Sequence, residues 1–212
     1  MRTSATAIAA ILLFAIVATA QDPKPKPDVV QAKPDSQAPS VSVTKGTWEI
    51  TPFIGGGTGF GKRSSTQFFY GGSRFGKVLT ADHGSGLIRG NFELAFDLIP
   101  LYVIMEPPQR TFGGSFNPVV LKWNFTSGRR MVPFLELTGG ALWTTKDVPF
   151  GTNNFNFTPQ GGFGIHFLRK NNPKQAITLT SKFLHVSNAG IADANSGINA
   201  SIQFLLGYTW FK

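Results

Sequence analysis

From Gly46 onward the chain is built of runs of about ten to fifteen residues in which apolar side chains recur at every second position. The last run is the clearest. Ile198, Ala200, Ile202, Phe204, Leu206, Tyr208 and Trp210 fall on one face, with Asn199, Ser201, Gln203 and Thr209 on the other. A period of two is the signature of a strand. Residues 91–104 repeat it, setting Phe92, Leu94, Phe96, Leu98 and Tyr102 against Asn91, Glu93 and Asp97. Val119, Leu121, Trp123 and Phe125 oppose Lys122 and Asn124, and Leu135, Leu137, Ala141 and Trp143 oppose Glu136 and Thr138. Phe155, Phe157, Phe163, Ile165 and Phe167 oppose Asn156, Thr158, Gln160 and His166. With residues 177–187 and two weaker runs, 48–56 and 66–75, the count is eight. The pattern predicts an all-β fold, an eight-stranded antiparallel transmembrane β-barrel. An even number of strands lets the barrel close without an unpaired edge, which hydrocarbon does not tolerate.

Alternation alone does not say which face is outside. A soluble sandwich or lipocalin-like barrel alternates too, with its aromatic and aliphatic side chains turned inward. The carboxylates of Glu93, Asp97 and Glu136 on the minority faces point to a polar interior and an apolar outer wall. The final Tyr208-Thr209-Trp210-Phe211-Lys212 has the aromatic character of terminal strands in outer-membrane barrels. The start of the chain agrees. Arg2, an apolar run over residues 5–18 and Ala18-Thr19-Ala20 before Gln21 read as a signal peptide, residues 1–20, removed on export. No later stretch reaches the roughly eighteen uncharged apolar residues that a membrane helix needs.

Residues 21–45 (QDPKPKPDVVQAKPDSQAPSVSVTK) carry little that can bury a core and are expected to form a disordered, partly polyproline-like linker, a spacer or a tether through the periplasm. The barrel then occupies residues 46–212. Its connections alternate in length. Residues 126–130 and 169–174 are tight and polar, whereas 105–114, 144–154 and 188–196 are longer; 76–90 is a long link where a short turn is expected. Short periplasmic turns and longer external loops are the usual arrangement, which sends the seventh strand outward.

Charge and chemistry narrow the reading further. Of 20 Lys and Arg, Arg2 leaves with the signal, so 19 face 11 acids, a formal net charge of +8. These cations are scattered, which argues against a nucleic-acid partner and suits anionic lipid head groups or simple loop solvation. There are no cysteines, so neither disulfides nor thiolate metal sites exist. His83, His166 and His185 lie far apart in sequence, and no metal or organic cofactor is called for. His83 and His166 read as structural.

The candidate chemistry sits at the end of the seventh run, Phe183-Leu184-His185-Val186-Ser187-Asn188-Ala189-Gly190. His185 and Ser187 are two residues apart and so share a face, their Cα atoms about 6.6 Å apart by strand rise. That face is also the face of Ile177, Leu179 and Phe183, so the pair points at lipid. A histidine beside a serine is the pairing that activates an oxygen nucleophile for acyl transfer, and a substrate reached from the outer wall is an ester within a lipid. Asn188, Gly190 and Asn195 offer amide and backbone donors for an oxyanion.

The stretch HVSNAGIADANSGINASIQFLLGYTWF, residues 185–211, resembles the C-terminal signature of the PagL family, outer-membrane lipid A 3-O-deacylases also known as acyloxyacyl hydrolases. Weaker similarities lie at residues 70–76, 90–101 and 117–118. The resemblance implies an eight-stranded barrel with a Ser-His-Glu triad near the external rim, which removes the ester-linked 3-hydroxyacyl chain at position 3 of lipid A. It makes His185 the general base, Ser187 the nucleophile and Asn195 an oxyanion donor, with Asn188 and Gly190 in supporting places. The acid departs from the pattern: fourteen residues after the histidine, where the family has Glu, stands Asn199. An amide oxygen can orient an imidazole but cannot offer an imidazolium a full charge; Asp193 is a second candidate for that duty. Strict alternation also turns Asn199 inward while His185 points outward, so bringing them together requires a bulge at the rim.

The leading expectation is therefore a carboxylic ester hydrolase acting on lipopolysaccharide in the bacterial outer membrane. Cations such as Lys62, Arg63, Arg110 and Lys146 are candidates to hold the anionic head group. The rival is a non-catalytic small outer-membrane barrel, structural or lipid-binding, and a soluble periplasmic barrel stands third. A water-filled porin does not fit, because eight strands leave an interior that side chains fill.

Overall fold

The structure is a computed structural model describing residues 42–61, 64–191 and 197–212. The signal peptide and nearly all of the linker expected from the sequence lie outside these residues. Nine strands follow in order: β1 (Trp48–Gly59), β2 (Gln67–Val78), β3 (Gly90–Glu106), β4 (Gln109–Phe125), β5 (Met131–Thr144), β6 (Phe155–Phe157), β7 (Gln160–Arg169), β8 (Asn172–Val186) and β9 (Ile198–Phe211). Each pairs antiparallel with its neighbours, β9 pairs with β1, and the ring closes. The short β6 and β7 both pair with β5 and occupy one place in the wall. The barrel is thus eight-stranded, with its sixth strand interrupted at Thr158-Pro159. The break falls at a proline, which has no N–H to give to a ladder.

The faces sort as the carboxylates require. Leu94, Phe96, Leu98, Leu135, Leu137, Phe163, Ile177, Leu179, Phe204 and Leu206 are exposed on the outer wall. Glu49, Glu93, Asp97, Lys122, Glu136 and Lys182 are buried inside. An apolar wall around a charged interior is the inverse of a soluble barrel and matches hydrocarbon on the outside.

The interior is packed in three zones. Nearest the termini, Val43, Val78, Val132, Leu168, Ala176 and Phe211 form an apolar plug. The middle is ionic. Arg74 donates from Nε to Asp97 at 2.7 Å and from Nη1 to Glu136 at 2.6 Å, while Lys182 Nζ lies 2.7 Å from Glu136. Lys122 bridges Glu49 and Glu93. His166 is fully buried beside this second group, its Nδ1 2.7 Å from Thr178 Oγ1. The far half is apolar, with Phe53, Phe68, Tyr70, Tyr102, Ile104, Leu142, Leu184, Val186 and Ile198 in one cluster and the Tyr70 and Tyr102 rings stacked at 4.9 Å. The interior void lined by Phe53, Tyr70, Tyr102, Lys182 and Leu184 measures about 10 Å³, room for a single water.

The segment before β1 belongs to the plug. Ser42 and Val43 are buried, and Asn91 donates from Nδ2 to the Val43 carbonyl at 2.8 Å. Asp82, on the long β2–β3 link, accepts from Asn91, Thr126 and Arg89 and draws that link across the same mouth. Placing a carboxylate in the plug with Val43→Asp is expected to lower the unfolding free energy by at least about 2 kcal/mol. A shift of the urea midpoint of the folded barrel measures it.

Two stretches differ from expectation, besides Tyr102, which period two groups with the outward Phe96 and Leu98 but which is buried inside because the β3–β4 register shifts between Ile99 and Tyr102. Residues 105–114, read as a long loop, form the tips of β3 and β4, each 17 residues, joined only by Pro107-Pro108. Pro107, Pro108, Gly113 and Gly114 give this stretch the texture of a loop. Paired between two neighbouring strands, it continues the wall, Thr111 and Ser115 inward and Phe112 and Phe116 outward. The second difference lies in β9 and bears directly on the site.

Candidate active site at the far rim

β8 runs from the end that holds the termini to the far end, with Thr178, Thr180, Lys182, Leu184 and Val186 turned inward. Alternation therefore turns His185 and Ser187 outward, both half-buried at the rim. His185 N–H donates to the Pro159 carbonyl at 3.0 Å. Ser187 exchanges two backbone hydrogen bonds with Phe157, at 2.7 and 3.1 Å. Pro159, at the break between β6 and β7, lends β8 an acceptor where the regular ladder stops.

The chain then turns sharply. Ser187 Oγ accepts from Ala189 N–H at 3.1 Å, and Asn188 Oδ1 accepts from Gly190 N–H at 2.9 Å. Ala189 and Gly190 both lie in the left-handed region, at φ 55° and 80°. Only the glycine reaches it without steric penalty, so the side-chain acceptors of Ser187 and Asn188 help hold the turn. Asn188, 2 % exposed, is tied into this turn with Gly190. Asp193 and Asn195 fall outside the described residues, as do Lys62 and Arg63; Arg110 and Lys146 are exposed at the far end.

The register of β9 shifts beside His185. Leu184 pairs with Ser201 and Val186 with Ile198, so the single residue His185 faces the two-residue step Asn199-Ala200. This is a β-bulge at the rim. It reverses the alternation of β9: Ile198, placed by the period-two reading on the outer face with Ile202, is fully buried in the far apolar cluster. An extra residue shifts every position before it to the opposite side, which no uninterrupted period shows. In backbone register the bulge sets Asn199 across from His185.

Neither of the other histidines joins the site. His83 sits on the β2–β3 link at the end holding the termini, bridged to Gly90, and His166 is inside the wall. Among the described residues, no group of three or more His, Asp or Glu side chains is placed to hold a metal ion. The outer wall also carries an apolar recess of about 540 Å³ bounded by Ile54, Phe69, Leu101, Phe204 and Leu206. It excludes His185 and Ser187 and faces the hydrocarbon belt at a lower level.

The model of the PagL family, described as lipid A 3-O-deacylase, matches residues 70–209, about two thirds of the chain. The chain belongs to the PagL family. The match takes in β8, the turn and the bulged start of β9, and so covers every candidate site residue except Lys62 and Arg63. No curated protein matches the sequence. Among solved structures, the N-terminal β-barrel domain of Pseudomonas aeruginosa OprF is similar at a TM-score of 0.51 and 13% identity, over 80% of this chain and 99% of that one. OprG from Pseudomonas aeruginosa, an outer membrane protein, is similar at 0.50 and 8% identity, over 80% and 97%. The outer membrane enzyme PagL is 18% identical at a TM-score of 0.49, over 76% and 98%. At these identities the likeness is one of fold.

Proposed function

We propose that this PagL-family barrel is a serine hydrolase of the outer leaflet of the bacterial outer membrane, which cleaves the ester-linked 3-hydroxyacyl chain at position 3 of lipid A. The observation that supports the reading is the position of His185 and Ser187 side by side on the outer wall at the far rim, with the backbone step Asn199-Ala200 opposite His185. An acyl ester at the boundary between hydrocarbon and head groups lies at the level of that rim.

The chemistry follows from the residue types. Ser187 Oγ attacks the acyl carbonyl as its proton passes to His185. The tetrahedral oxyanion collapses, the sugar oxygen leaves with the proton from His185, and the acyl group remains on Ser187. Water, deprotonated by His185, then releases the 3-hydroxy fatty acid and restores the serine. Asn195 is assigned the oxyanion, Asn188 and Gly190 hold the turn, and Arg110 and Lys146, with Lys62 and Arg63, meet the phosphates of the head group. Asn199 orients the imidazole without charge. Signal-peptide export delivers the chain, and the linker spans towards the periplasm.

A non-catalytic barrel is the second reading, favoured by the amide at position 199. A lipophilic fluorophosphonate distinguishes the two. The folded wild-type barrel is expected to gain one adduct, mapped to Ser187 by peptide mass spectrometry, and His185→Ala to lose most of it. A folded barrel that takes no adduct overturns the hydrolase. Asn199→Glu supplies the missing charge, and its kcat is expected to rise by about tenfold or more, since exchanging a triad carboxylate for its amide elsewhere costs about 10⁴. An unchanged kcat would leave position 199 without a role.

A further inference from the structure

We propose that Trp143, Phe155 and Phe157 form the wall against which the sugar ring of the lipid packs, so that they select glycolipid esters over glycerophospholipid esters; the proposal rests on Ser187 being the nucleophile. Phe157 is the direct cross-strand partner of Ser187, with both backbone hydrogen bonds made. Such a pair has Cα atoms about 5.5 Å apart and side chains on one face. Phe157 is exposed on the outer wall, while its neighbour Asn156 is buried and donates to the Val148 carbonyl at 2.9 Å.

From Phe157 the rings run on toward the far end. The Phe155 centroid lies 5.2 Å from that of Phe157 at 81°, and the Trp143 centroid lies 5.2 Å from that of Phe155. Phe155 and Trp143 are cross-strand partners two residues beyond Phe157 toward the far end, about 6.6 Å along the tilted strand from the level of Ser187. A carbonyl seated at Ser187 thus has the oxygen-bearing ring of a glycolipid at the height of Phe155 and Trp143. The C–H face of a sugar packs on such rings, whereas a glycerol backbone has no face to offer. Below this strip the wall is low. Gly139 has an outward position where an added Cβ would meet nothing within 4 Å, and at Gly161 it would meet only Leu137 Cδ2 at 3.4 Å. Neither has a positive φ, so nothing within the fold requires glycine there, and both leave room beside His185 for the start of an acyl chain.

The test is binding to the full-length barrel carrying Ser187→Ala, which consumes no lipid, measured by calorimetry in detergent. The probes are a diacylglucosamine phosphate and a phosphatidylglycerol of the same chain length. The glucosamine lipid is expected to bind about tenfold more tightly, and Trp143→Leu or Phe157→Leu to remove that preference. Trp48→Leu, on the outer wall at the opposite end, is expected to leave it intact. Phe155→Leu serves where another variant fails to show the mobility of a folded barrel. Equal affinity for the two lipids, or a preference that survives Trp143→Leu and Phe157→Leu, overturns the proposal. Hydrolysis by wild type with no such preference removes the aromatic wall and leaves the nucleophile standing. A preference that depends on the wall, in a barrel that hydrolyses no ester, does the reverse.

Discussion

Ser187→Ala is expected to reduce ester hydrolysis by at least about a thousandfold while leaving the barrel folded. The loss is large because the serine forms the covalent intermediate, and Ser187, the residue just past β8, shares the outward rim face of the His185 imidazole. Removing one member of a nucleophile–base pair costs nearly as much as removing both, so His185→Ala and the double variant are expected to fall to the same residual rate. The fold is spared because the Ser187 side chain's contact with Ala189 N–H belongs to the turn and not to the interior. Initial rates of fatty-acid release, measured beside the heat-dependent mobility of the folded barrel, separate a catalytic defect from a folding one. Rates within a few-fold of wild type would remove Ser187 from the mechanism.

The second large effect is on stability. Arg74→Met is expected to cost about 3–5 kcal/mol, the range for removing one partner from a buried ionic group. Arg74 makes paired contacts with Asp97 and Glu136, at 2.6 to 3.2 Å, and is 4 % exposed. Without it, the two buried carboxylates keep Lys182 as their neighbouring cation, 2.7 Å from Glu136 and 3.7 Å from Asp97, and Asp97 keeps a long hydrogen bond from Asn117 at 3.4 Å. Methionine fills much of the space but returns no charge. Arg74→Lys keeps the charge and loses the planar fork, so its cost is expected to be smaller. Equilibrium unfolding in urea from vesicles measures both, and a midpoint for Arg74→Met equal to that of wild type would show that the interior is solvated enough to dispense with the pair.

Much of this architecture is visible in the residues. Period two over twelve or more residues reports a strand wherever the two faces meet different surroundings, and here they do, lipid on one side and a charged interior on the other. Alternation is symmetric between inside and outside, so the direction had to come from Glu93, Asp97 and Glu136, which no wall facing hydrocarbon accommodates. The β3–β4 tip was hidden because Pro107-Pro108 and Gly113-Gly114 mimic a loop, and only the cross-strand partners of Gly113 and Gly114 reveal it as wall. The inward turn of Ile198, which follows from the bulge opposite His185, was hidden for a different reason. An inserted residue leaves composition unchanged and shifts only the register, so Ile198 read as lipid-facing until its partner Val186 turned it inward.

The site divides in the same way. His185 and Ser187 are legible because spacing by two fixes a shared face and the surrounding residues carry the family signature. The flanking rings are not, since Phe157 and Trp143 look like any outer-wall aromatics until pairing sets Phe157 beside the serine and Trp143 one step above it. Phe157 stands thirty residues before Ser187 in the chain and reaches it through the sheet alone.

The central claim is tested most directly by the mass of lipid A recovered after incubation with the detergent-folded wild-type protein. Loss of one ester-linked 3-hydroxyacyl chain, with the matching free fatty acid released, is the expected result. An unchanged mass spectrum in the presence of a barrel that migrates as folded would contradict it and leave a lipid-facing structural protein in its place.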